Sequence, residues 1–92
     1  MVTFDPAKNR KNIAAHGVAL SEAERFDWDH AIIIEDRSED YGERREKATS
    51  FIGSKLYVYV YTLRGDGEER AISLRKAENP EKRRYVKDIQ NR

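Results

Sequence analysis

Hydrophobic positions fall into short runs, some alternating with period two and others spaced for a helix. The densest run is Leu56 to Leu63, β-branched or aromatic at almost every position and so suited to a pleated, well-packed strand. Arg64-Gly65-Asp66-Gly67 follows, with residues that tolerate positive φ, and Ala71 to Leu74 returns as the partner strand. Alternation places Val58 and Val60 on one face and Tyr57, Tyr59 and Tyr61 on the other. It also puts Arg75 in phase with Ser73 and Ala71, and Arg70 with Ile72 and Leu74. Neither face of the hairpin is plainly polar, so elements are expected on both sides of it, with the hairpin central in a sheet.

The other elements follow from local signals. Val2-Thr3-Phe4 reads as a short strand, and Asp5-Pro6 as an N-cap followed by a first-position proline. That helix runs from Pro6 to His16 and ends at Gly17, with Ile13 expected on its inner face. Ser21-Glu22-Ala23-Glu24 has the form of a capping box opening a second short helix through Phe26 or Trp28. Ala31 to Ile34 is too short and too β-branched for a helix and is expected to be a strand. Arg37 to Glu43 reads as a loop, Arg44 to Ile52 as a strand, and Gly53-Ser54-Lys55 as a turn. Asn79-Pro80 repeats the cap-then-proline signature and starts a last helix to about Gln90. The order β-α-α-β-β-β-β-α predicts an α+β class with a central, mainly antiparallel sheet, and the 92 residues predict one domain over 1–92.

Composition narrows the picture. Without cysteine there is neither a disulfide framework nor a cysteine-based zinc site, which fits a reducing cytoplasm. No signal-peptide core or membrane-length apolar run is present, so a cytoplasmic domain away from membranes is expected. Net charge is only +1, but its distribution is uneven. Acids outnumber bases from Ser21 to Lys47, and bases outnumber acids from Arg64 to Arg92. This polarity would separate a nucleic-acid face from a protein-facing side, although solvated surface is the commoner origin of charge runs.

Four separated strings, in order, resemble the BrnT toxin family. They are Asp5 to Asn9 with Asn12-Ile13 and His16-Gly17-Val18; Glu35 to Ser38 with Asp40 to Arg44; Tyr61 to Gly65; and Ile72 to Ala77. The resemblance spans Phe4 to Tyr85. It implies a RelE-like fold and the toxin of a type II toxin–antitoxin system, an endoribonuclease that cleaves RNA and inhibits translation. It further implies a BrnA-type ribbon-helix-helix antitoxin as partner, with operator DNA contacted only through that antitoxin. The RNA would include mRNA on the ribosome as one option. A catalytically weak or inactive RNA- or protein-binding module of the same fold is the alternative.

Such cleavage requires a base for the 2′-hydroxyl proton, cations for the charge growing on the phosphoryl oxygens, and an acid for the departing 5′-oxygen. No ligand spacing links His16 and His30, so a mechanism without metal or other cofactor is expected. Arg75 and Lys76 are the leading candidates, Arg75 as a bidentate phosphate clamp. An ordinary ion pair with nearby acids explains them as well, and adjacent strand residues point to opposite faces. His16 titrates near neutrality, yet its place in a last helical turn is also explained by the dipole. Glu46 is a candidate base if its strand borders the cleft, or simply an edge charge. Lys8, unfavourably placed in a first turn, and Arg70 are weaker RNA-binding candidates. Arg64 is one through the resemblance alone. The tyrosine stripe fits core better than base stacking.

Overall fold

The computed structural model describes residues 2–37 and 39–92, so Ser38 of the expected Arg37–Glu43 loop lies outside the described residues. In chain order the elements are β1 (Val2–Thr3), α1 (Pro6–His16), two 3-10 segments (Leu20–Arg25 and Trp28–His30), β2 (Ile32–Asp36), β3 (Arg45–Ile52), β4 (Lys55–Leu63), β5 (Glu69–Lys76) and α2 (Asn79–Gln90). The strands form one five-stranded sheet in the order β1-β5-β4-β3-β2, antiparallel except where β1 joins β5. Strand β4 is therefore central while β5 is flanked by β1 only at Glu69 and Arg70, and helices cover the sheet from both sides, as the two apolar faces of β4 require.

Helix α1 starts and stops as the sequence predicts. Asp5 accepts from the Ala7 N–H at 2.8 Å, and Gly17 adopts φ 72°, from which its N–H reaches Ile13 O. Its inner face differs from the expectation: Ile13 is 45% exposed and Asn12 is buried. The reason lies in the sheet. Beyond the two residues of β1 the outer edge of β5 lacks a strand, and Asn12 takes its place. The Asn12 amide donates to Leu74 O (2.8 Å) and accepts from Leu74 N–H (3.1 Å), while a second donor bond reaches Val18 O. A buried backbone donor and acceptor are costly to leave unpaired, so an amide displaces an isoleucine here.

The expected capping box at Ser21 does not form. The segment starts one residue earlier, at Leu20, without a side-chain cap, and the Leu20 N–H goes instead to Asn9 Oδ1 at 2.8 Å. Leu20, Ala23 and Phe26 are all buried, and their three-residue spacing matches a 3-10 turn rather than an α-helix. Together with Ala48, Tyr59, Ala71 and Leu74 they form the core beneath α1. In α2 the cap is Glu78 rather than Asn79, its N–H meeting Glu81 Oε1 at 2.8 Å.

Candidate functional site

Strand register determines which side chains meet. Lys47 lies opposite Val60 and Thr49 opposite Val58 between β3 and β4. Thr62, Val60 and Val58 lie opposite Arg70, Ser73 and Arg75 between β4 and β5. Opposed residues in an antiparallel pair share a face, so Lys47, Arg70, Arg75 and, by alternation, Arg45 project from one side. This is the side on which α2 lies. Arg70 and Arg75 are an odd number of residues apart and would be separated in a regular strand. The register shift opposite Val60/Tyr61 makes Ile72 a bulge and restores them to one face. Ala71 is correspondingly in phase with Leu74 in the core, and not with Arg75 as simple alternation predicts.

Arg75 is held in place. Its Nη1 and Nη2 each donate to a Glu81 oxygen at 2.7 Å, a bidentate pair between strand and helix with both side chains about three-quarters buried. The Arg75 guanidinium, helped by the Glu78 N–H, holds the Glu81 carboxyl down at about 2 despite the opposing effect of burial. In turn Glu81 raises Arg75 further above its ordinary value. Beside this pair a groove of about 220 Å³ runs between α2 and strands β2 and β3, lined by Lys47, Thr49, Glu81, Arg84 and Tyr85 among others. At the other end of β3 the Arg45 guanidinium lies 3.8 Å above the Tyr41 ring, a cation–π contact that fixes it over this face.

The remaining sequence candidates lie elsewhere. Glu46 projects to the α1 side opposite Tyr61, where Arg44 Nε donates to its carboxylate at 2.7 Å. Burial, then the negative charges of Glu46 and Glu69, pushes the Tyr61 hydroxyl up to about 12. Tyr59, also raised chiefly by burial, donates to Glu69 at 2.6 Å, and its ring packs with Phe26, Trp28 and Tyr61. The tyrosine stripe is thus core. His16 is exposed at the end of α1 and Lys8 half-buried near its start, while Arg64 is exposed at the hairpin turn. Lys76, the last residue of β5, lies opposite Tyr57 and lines a separate hollow with Lys55 and Lys82. The structure therefore brings Arg70 and Arg75 to one face and leaves Lys76, His16, Glu46, Lys8 and Arg64 off it.

Arg45 and Lys47 were not singled out by the sequence reading. The signal was present in their i, i+2 spacing on a strand, but which face they join depends on the β3–β4 register. Among the described residues, no three His, Asp or Glu side chains are grouped to hold a metal ion.

Residues 4–81 match the family model described as the ribonuclease toxin, BrnT, of type II toxin–antitoxin systems. The chain belongs to the BrnT family. Its fold is similar to that of the Brucella abortus ribonuclease toxin BrnT, known from a crystal structure at 1.1 Å, with a TM-score of 0.68 and 22% sequence identity. The likeness covers 85% of this chain and 96% of that one. No curated protein matches the sequence. The α+β class with its mostly antiparallel sheet is shared with this BrnT structure. Family membership also gives this four-cation face a context, since a BrnT toxin is a ribonuclease and RNA is polyanionic.

Proposed function

We propose that this BrnT-family chain cleaves RNA without a metal ion by gripping the phosphodiester on the α2 side of β3 and β5. Arg75, Arg70, Lys47 and Arg45 hold the phosphate and stabilise charge as the 2′-oxygen attacks phosphorus and the P–O5′ bond breaks. Solvent water takes the 2′-hydroxyl proton and supplies one to the departing 5′-oxygen, and a 2′,3′-cyclic phosphate is left. The observation that carries the reading is that these four cations, from two strands that do not pair with each other, project from one face. Fixed cations preorganised around developing charge contribute more than mobile ones. By the same reading a BrnA-type ribbon-helix-helix antitoxin neutralises the protein and carries the complex to operator DNA. Free toxin inhibits translation in the cytoplasm.

Arg75→Ala is expected to lower RNA cleavage by roughly 10²-fold, the scale for losing one preorganised donor. Lys47→Ala should lower it less. Cleavage should persist in EDTA and give cyclic-phosphate ends. His16→Ala and Glu46→Gln, off this face, should leave it near wild type. Unchanged cleavage by Arg75→Ala would reject this site, and loss of activity in EDTA would reject the metal-free mechanism.

One observation favours a second reading, an RNA-binding module that does not cut. Glu81, the carboxylate nearest Arg75, gives both oxygens to that guanidinium and is held ionised far below neutrality, which makes it a poor base. RNA that is retarded on a gel with intact ends would select that reading.

A further inference from the structure

A second basic feature lies at the end of the sheet, below the Arg75 row. A hollow of about 380 Å³ is lined by Phe51, Ser54, Lys55, Leu56, Lys76, Ala77 and Lys82. Its volume is within the range of sites that hold small ligands. Three of the seven lining residues are lysines and none is an acid. Three ammonium groups around a hollow without a carboxylate repel one another, and an anion seated between them relieves that repulsion. The rest of the lining is chiefly apolar, with the aromatic Phe51 beside Leu56 and Ala77. Basic groups around an aromatic and aliphatic floor suit one nucleotide, its phosphate to the lysines and its base against Phe51.

Position supports the same ligand. Leu56 is two residues along β4 from Val58, which lies opposite Arg75, and the two side chains share a face. A two-residue step on a strand is about 7 Å. The hollow therefore lies one step beyond Arg75 at the end of the sheet, where Lys55 and Lys76, in phase with Tyr57, meet Lys82 of α2. We infer that Lys55, Lys76 and Lys82 form a subsite for the nucleotide one step beyond the pair joined by the scissile linkage, which rests on the reading of the α2 face as the RNA site. An acidic segment of a protein partner would meet the lysines, but the aromatic floor and the single step from Arg75 favour RNA.

The test compares the full-length wild type with Lys55→Ala/Lys82→Ala, both exposed positions whose replacement leaves the core intact. A single-stranded oligoribonucleotide of about ten residues is titrated by fluorescence anisotropy across a salt series, and its cleavage is compared with that of a dinucleotide too short to reach the hollow. Loss of that one phosphate contact should lower the slope of log affinity against log salt by about 0.7. KM for the oligonucleotide should rise several-fold, with dinucleotide cleavage unchanged. Wild-type slope and KM in the double variant overturn the subsite and leave the proposed function standing. Weakened antitoxin binding with unchanged RNA binding also overturns it, by assigning the hollow to the protein partner. If the wild type neither binds nor cuts the oligonucleotide, the proposed function falls and the subsite with it.

Discussion

Arg75 and Glu81 form the most constrained charged contact on the candidate face, and the pair has a pH signature. The Glu81 carboxyl titrates near 2 in the folded chain, below its ordinary 4.5, chiefly because Arg75 donates to it. A depressed folded value means that the stabilisation is present above about pH 4.5 and is lost as pH falls toward 2. Part of the pair faces water, so screening limits it to about 1 kcal/mol. Glu81→Gln should therefore be less stable than wild type by about that amount at pH 7 in urea unfolding. The difference should shrink steadily between pH 4.5 and 2. A gap that stayed constant with pH would show that the ion pair contributes nothing. The sequence made Arg75 a candidate clamp but could not name its partner, because Glu81 meets it only after α2 has folded back onto the sheet.

Elements were legible where the signal is local. Asp5-Pro6 and Gly17 bound α1 as their cap chemistry dictates, and the β4–β5 hairpin turns where Gly65-Asp66-Gly67 allow it, with Gly67 at φ 85°. Signals depending on a partner element were not legible. The bulge at Ile72 leaves no mark in the alternation of Ala71 to Leu74, yet it decides which arginines share a face. The polar α1 gave no apolar stripe to read, because its buried contact is an amide. Asn12 is the test of that account. Asn12→Ala removes the donor and acceptor that complete Leu74 and one bond to Val18 O, all in or near the core. Orphaning buried backbone groups costs about 1–3 kcal/mol each, so a loss of at least about 2 kcal/mol in urea unfolding is expected. Ile13→Ala, at an exposed position, should cost under about 0.5 kcal/mol. The reverse ranking would put Ile13 on the inner face, contrary to the register described above.

For the whole molecule, a net charge of +1 conceals a division between the two sides of the sheet. On the α1 side, Glu46 and Glu69 surround the tyrosine hydroxyls; on the α2 side, four cations from β3 and β5 share one surface, of which Glu81 engages Arg75 and Glu43 lies 3.5 Å from Arg45. RNA should respond to that surface and not to the net charge. If about four phosphates are contacted, affinity for a short single strand should fall roughly 50-fold between 50 and 200 mM salt, from a slope of about −0.7 per phosphate. A protein whose binding followed its near-zero net charge would show almost no salt dependence. The division also predicts which substitutions alter the slope. Arg70→Ala and Lys47→Ala should each reduce it by about 0.7, whereas Arg64→Ala and Lys8→Ala, off that surface, should leave it unchanged. Equal effects from all four would mean that RNA wraps the molecule without a preferred side, and the register that gathers the cations would then have no bearing on binding.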